Sequence, residues 1–159
     1  MQKIPMTVNG SKQLEEELNN LISCERVNVI KAIAEARSHG DLSENAEYSA
    51  AKEKQSFIEG RIAEIQYKIS NANIIDPSKI NHNGKIVFGL NIKLSDMDTN
   101  NEVIYQIVGE DEADLIKGKI SINSPVARAL IGRSIGDVVE VKTPKGIKEY
   151  EVIDFYSCA

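Results

Sequence analysis

Cysteine is scarce in this chain. Cys24 and Cys158 stand alone, with no CxxC and no Cys/His spacing around them, which argues against a disulfide framework or a structural zinc site. Two incidental thiols in a reducing cytoplasm is the simpler expectation. No apolar run approaches the roughly 18–20 residues that a membrane span needs. Met1-Gln2-Lys3-Ile4-Pro5 lacks the apolar stretch of a signal peptide. A cytoplasmic protein with no membrane partner is therefore expected. Positive charge is not in excess either. The net charge is −5 and the pI near 5.2, which argues against binding nucleic acid by bulk charge. The halves are alike: residues 1–76 hold nine basic and twelve acidic side chains, net −3, leaving −2 for the rest. Any nucleic-acid contact must be local, or delegated to a partner. His39 and His82 both fall in turn-like sequence, with no Ser, Cys or acid partner fixed by spacing, so no stand-alone hydrolase centre is legible.

What is present is organised around residues 40–48. At 159 residues the chain suits one medium domain or two small ones. On either side of Gly40 lie about thirty residues of helical pattern. Thr7 and Ser11 are both suitable caps for the first helix. Leu14, Leu18 and Leu21 repeat at four and three, the seam of a coiled coil. Strict register would next place Glu25 on the seam, but the stripe resumes at Val29, Ile33 and Ala36, which requires a four-residue stutter. The second helix holds an unbroken spacing through Ile58, Ile62, Ile65, Ile69 and Ala72, with Ala46, Ala50 and Ala51 as small facing residues nearer the bend. Gly60 interrupts it at about 1 kcal/mol relative to alanine, with no sequence-level reason. Gly40 stops the first helix, and Asp41 or Ser43 is expected to cap the second. Two long helices joined so briefly fold back as an antiparallel hairpin, with the bend about 40–45 Å from its far end.

The helical pattern ends near Asn73, and Asp76–Gly84 is a turn-rich connection. This reading divides the chain into a hairpin domain at 1–76, its tip at 40–48, and a second domain at 77–159. In the latter the period changes to two. Strands are expected over Lys85–Leu94 and Val103–Val108, across the polar loop Ser95–Asn101. After the acidic run Glu110–Asp114 come a short strand at Ile120–Ile122, a short helix at Ser124–Leu130 with Pro125 in its first turn, and a closing hairpin of Val138–Lys142 with Lys148–Phe155. The class is α+β: an antiparallel coiled-coil hairpin followed by a small antiparallel sheet domain with one short helix.

The bend carries Asp41, Glu44 and Glu47 within seven positions. Asp41-Leu42-Ser43-Glu44 has the spacing of a capping box, and acids in a first helical turn are favoured by the helix dipole. The same two carboxylates also make a partial site for Mg²⁺, which one or two carboxylates hold together with phosphates and water. An ion completed by another active site could activate water for in-line attack on a phosphodiester. Arg37 and Lys52, just behind the bend, offer positive charge for a phosphate or are solvated helix surface. Tyr48 can stack on a base or pack against the turn. Spacing alone leaves each pair of readings open.

The stretch Ala32–Tyr48, with Gly-Asp-Leu-Ser-Glu-Asn-Ala-Glu-Tyr at 40–48, resembles the tip of the bacterial transcript cleavage factors of the GreA/GreB family, its GreA branch in particular. Gly109–Asp114 and Ile120–Gly132 resemble the family's C-terminal signature, and the match runs over essentially the whole chain. The resemblance implies a coiled-coil hairpin and an FKBP-like domain that docks on RNA polymerase near the mouth of its secondary channel. The hairpin then enters the channel. Asp41 and Glu44, by resemblance, help hold a second Mg²⁺ shared with the polymerase, whose own active site hydrolyses the backtracked RNA 3′ end. The factor is thus no enzyme, binds no cofactor alone, and has RNA polymerase and the nascent RNA 3′ end as partners. By the same resemblance Arg37 and Lys52 form the basic patch that contacts RNA, lysine at 52 weakening bidentate phosphate contact. That weak basicity agrees with GreA-type members, associated with short fragments. Gly40, Ser43, Asn45, Glu47 and Tyr48 support the tip. Asp111, Glu112, Asp114, Ser124 and Pro125 are candidates for docking.

Three alternatives compete. A channel-binding inhibitor predicts a tip unable to support cleavage, against the intact Asp41/Glu44 pair. An FKBP-type prolyl isomerase or chaperone needs an aromatic-lined pocket, whereas the C-terminal half has only Phe88, Tyr105, Tyr150, Phe155 and Tyr156 and no tryptophan. A dimeric coiled coil is disfavoured because the bend satisfies the seam within one chain, so a monomer is expected.

Overall fold

The structure, a computed structural model, describes residues 3–41, 45–79 and 81–157. Its contacts divide the chain into two compact units: Ser11–Ala72 in one, and Lys3–Gly10 with Asn73–Ala159 in the other.

The first unit is a helical hairpin. One arm runs through α1 (Val8–Asn20), a five-residue π-helical turn (Leu21–Glu25) and α2 (Arg26–Arg37), and the other is α3 (Ala46–Ser70). Between the cores Leu21 and Val29 lie eight positions, and eight residues of pure α-helix rotate two turns plus roughly 80°. That would carry Val29 off the seam. The π turn, closed by the Arg26 N–H donating to the Leu21 carbonyl, absorbs the surplus residue, so Val29, Ile33 and Ala36 are all buried. The stutter in the sequence is this turn.

Ile58, Ile62 and Ile65 form the buried stripe of α3. Nearer the bend the seam differs in part from the sequence expectation. Ala46 and Ala50 face solvent, while Tyr48, Ala51 and Gln55 are half-buried; counting back from Ile58 by three and four residues reaches those three positions, so of the expected alanines only Ala51 faces inward. Register is reinforced by bidentate ion pairs from Arg61 to Glu17 (2.7 and 2.8 Å) and from Arg26 to Glu59 (2.9 and 2.8 Å). The hydrogen bond from Arg61 holds the Glu17 carboxyl below its ordinary range, and Glu17 in turn raises Arg61. Gly60 is exposed, and a Cβ built there meets nothing within 4 Å. Gly60→Ala should therefore stabilise the hairpin by about 1 kcal/mol, raising its thermal midpoint, read by the helical circular dichroism signal, by about 2–4 °C.

The second unit holds two sheets. A short pair, β1 (Ile4–Thr7) with β2 (Ala72–Ile75), was not anticipated; four-residue strands leave almost no alternation to read. The larger sheet has the order β5 (Lys119–Ser121), β4 (Glu102–Val108), β3 (Asn91–Asp96), β7 (Gly146–Tyr156), β6 (Val138–Thr143). Its pairs are antiparallel except β4 with β5, which run parallel. The ten residues Gly109–Gly118 between them make that crossover. Helix α4 (Pro125–Leu130) buries Ala127 and Leu130 in a core with Ile92, Leu94, Ile107, Val139 and Val152.

The strand expected from Lys85 starts only at Asn91. Ile86, Phe88 and Leu90 are buried as their alternation predicts, but Gly89 takes a φ of +90°, and a Cβ there would lie 2.8 Å from Pro77 Cγ. This bend directs Ile86 to Gly132 and Arg133 for its backbone bonds (2.9 and 2.8 Å). Alternation thus reported burial without a continuous ladder.

Candidate functional site

The bend is built by two helix ends. After α2 the chain turns through Ser38 and His39 to Gly40, whose φ of +107° suits glycine. On the far side Asn45 is the cap of α3: its Oδ1 accepts from Tyr48 N–H at 3.1 Å. This corrects the expectation that Asp41 or Ser43 starts the helix. Asp41 lies four residues before that cap and is exposed. Leu42, Ser43 and Glu44, the last of them the other end of the Asp41-x-x-Glu44 capping-box spacing, lie outside the described residues.

The side chains around Asp41 cross between the arms. Asn45 Nδ2 donates to the Ala36 carbonyl at 2.6 Å. The Arg37 guanidinium carbon stands 5.9 Å from the Tyr48 ring centroid, a cation–π contact that gives Tyr48 its packing role. His39 Nδ1 lies 3.1 Å from Glu47 Oε2, a partner that sequence spacing did not disclose. His39, Asp41, Asn45, Ala46 and Glu47 line a shallow hollow of about 400 Å³. Behind it Arg37 and Lys52 share one groove of about 370 Å³ with Ile30, Ile33, Ala34 and Gln55, and Lys52 Nζ donates to Gln55 Oε1 at 3.2 Å. The two basic residues singled out in the sequence are thus brought together. Among the described residues no three His, Cys, Asp or Glu side chains converge to hold a metal.

In the second unit the five docking candidates have unequal surroundings. Asp111 and Pro125 are exposed. Asp114 accepts from Ile116 N–H at 3.1 Å, and Ser124 caps α4 by accepting from Ala127 N–H at 3.2 Å. Glu112 makes an internal clasp. Its carboxylate accepts from Thr7 N–H at 3.0 Å, from the Thr7 hydroxyl, and from Gly109 N–H at 3.1 Å. Thr7 itself caps α1 by accepting from Gly10 N–H at 3.0 Å, so the glutamate's charge sits at a helix N-terminus, where it is favoured. Gly10 leaves room for this clasp: a Cβ there would overlap the Glu112 carboxyl group and force that side chain to move. Glu112→Ala strands the Thr7 and Gly109 donors and should lower stability by about 1–3 kcal/mol, measured as a drop in the urea midpoint of the full-length protein.

The residues that sequence reasoning missed are Leu115 and Ile116, 78% and 99% exposed. They project from a single 3₁₀ turn between the Asp114 cap and Gly118 at φ +73°. With Ala113, Asp114, Ile120 and Ser124 they border an apolar hollow of about 560 Å³. Two adjacent apolar residues between a capping aspartate and Lys117-Gly118 were the available signal; such exposed patches mark interaction surfaces.

Residues 4–74 match the family model described as transcription elongation factor, N-terminal, and residues 81–157 match transcription elongation factor, GreA/GreB, C-term. The chain belongs to the GreA/GreB family of transcription elongation factors. It is 60% identical over 154 residues to transcription elongation factor GreA of Neisseria meningitidis serogroup B, covering 97% of this chain and 98% of that protein. To the GreA of Thioalkalivibrio sulfidiphilus it is 61% identical over 153 residues, covering 96% and 97%. Among solved structures it is similar to the GreA factor homolog 1 (Gfh1) protein of Thermus thermophilus, with a TM-score of 0.45 and 26% identity over 98% of this chain and 100% of that one. The two GreA/GreB family segments between them span the hairpin and the sheet unit. No helix among the described residues is long and apolar enough to cross a membrane.

Proposed function

We propose that this GreA/GreB-family chain binds RNA polymerase as a monomer in the cytoplasm. In this reading it inserts its hairpin tip into the secondary channel and stimulates the polymerase's own cleavage of backtracked RNA, rescuing arrested complexes. The observation that carries the reading is the bend. Asn45 caps α3 and Asp41 stands exposed four residues before it, in a hairpin whose second arm alone is about 37 Å long, from 25 residues at 1.5 Å each. Asp41 and Glu44 are the residues that would hold Mg²⁺, and two carboxylates completed by phosphates and water suit that ion's preferences. When bound there between tip and polymerase, the ion supplies activation of water for in-line displacement at a phosphodiester. The chain's own contribution is to deliver these two carboxylates at the bend. Arg37 and Lys52, lining one groove behind the tip, give the extruded RNA 3′ end a local cationic contact on a protein of net charge −5. Docking falls to the sheet unit, through the exposed Leu115/Ile116 ridge with Asp114 and Ser124 bordering the same hollow.

The test is transcript cleavage in stalled, backtracked elongation complexes. Addition of the full-length protein should shorten the RNA from its 3′ end and leave ends that the polymerase extends again, while protein and RNA without polymerase give no cleavage. Unchanged RNA in the complete system, at concentrations where the protein binds polymerase, would refute the reading.

A further inference from the structure

We propose that Asn45 is a positioning residue for the cleavage reaction, setting where Asp41 stands by joining the ends of the two helices; this rests on the function proposed above. A helix cap needs only an acceptor, and aspartate or serine serves as well as asparagine. Asn45 does more. While Oδ1 accepts from Tyr48 N–H at 3.1 Å, Nδ2 reaches nine residues back to the Ala36 carbonyl at 2.6 Å. Ala36 is the last buried residue of α2, with 2% exposure. One amide therefore caps the start of α3 and adds a bond to an end carbonyl of α2, which also accepts from His39 N–H at 3.2 Å.

Two further ties across the bend are weaker anchors. The His39–Glu47 pair is 58% and 72% exposed, where an ion pair contributes little. Arg37 over Tyr48 at 5.9 Å lies near the limit of a cation–π contact. Asn45 also lines the hollow that contains Asp41. Without its donor, the hydrogen bond that joins the end of α2 to the start of α3 through Asn45 is lost. A carboxylate that must meet a shared ion then loses its fixed place, and misplacement by about 1 Å costs on the order of a hundredfold in rate.

Asn45→Asp separates the two roles, because it keeps the acceptor for Tyr48 and turns the donor into an oxygen facing the Ala36 carbonyl. Asn45→Ser keeps a capping oxygen without that repulsion or the added charge, but its side chain is too short to make both bonds. Both full-length variants should retain the helical circular dichroism signal and half-saturate backtracked complexes at the wild-type concentration. Their maximal cleavage rates should fall about ten- to a hundredfold, with more Mg²⁺ needed for half-maximal cleavage. Wild-type rates and Mg²⁺ requirement in both variants would overturn the inference. So would loss of helical signal and cleavage in proportion, which would leave Asn45 as a cap alone. Asp41→Asn run beside them separates the failures: if it stimulates like wild type, the functional reading itself falls, whereas inactive Asp41→Asn with fully active Asn45 variants removes only the positioning role.

Discussion

Asp41→Asn should abolish stimulated cleavage while leaving the protein folded and bound to polymerase. Asparagine preserves the size of the side chain and its ability to accept a hydrogen bond. It removes the negative charge and the anionic oxygen that a hard divalent cation requires. Asn45 is the cap of α3, and asparagine at 41 keeps an acceptor oxygen of the same reach, so the cost to stability should be small. The expected loss is about a hundredfold or more in maximal rate, the size of effect that goes with losing several kcal/mol of charge stabilisation by a metal. The concentration giving half-maximal occupancy of the polymerase should not change, since an interaction needed only for reaction lowers the rate and not the binding. Measured in backtracked complexes, a variant that cleaves at the wild-type rate would return Asp41 to a structural role.

Changing Leu115 and Ile116 together to glutamate should have the opposite signature. The two side chains are 78% and 99% exposed, so replacing them removes no core contact and the sheet unit should keep its stability. On a surface that meets a partner, two such apolar residues act as anchors, and burying two carboxylates in their place adds a desolvation cost. Affinity for polymerase should fall about ten- to a hundredfold. The maximal cleavage rate should recover at saturating protein, because the tip is untouched. Unaltered competition with wild-type protein for polymerase would show that the ridge lies outside the interface.

The long-period features were legible in the sequence. The seam, the hairpin and the stutter all follow from where apolar residues recur, and the stutter even located the π turn at Leu21–Glu25. The alternation over 86–94 found buried residues correctly and the strand only in part, because Gly89 against Pro77 bends a backbone whose side chains still point inward. What failed was choice among equivalent local chemistries. Asp41, Ser43 and Asn45 can all cap a helix, and only the reach of Asn45 to Ala36, a contact across nine positions, decides among them. Glu112 sits in an acidic run that reads as solvated loop, yet its partner Thr7 is 105 positions away. His39 and Glu47 likewise meet only because the bend closes. Leu115 and Ile116 drew no reading from the sequence, because nothing in the spacing says that a 3₁₀ turn holds them outward.

The central claim is that the tip supplies ligands for an ion it shares with the polymerase. It is tested most directly by the Mg²⁺ concentration at which backtracked RNA is cleaved at half its maximal rate, compared for polymerase alone, with saturating wild-type protein, and with saturating Asp41→Asn. The account predicts that the wild-type protein lowers that concentration about tenfold or more, and that Asp41→Asn leaves it at the value for polymerase alone. An unchanged Mg²⁺ requirement with the wild-type protein, or an equal lowering by Asp41→Asn, would contradict it.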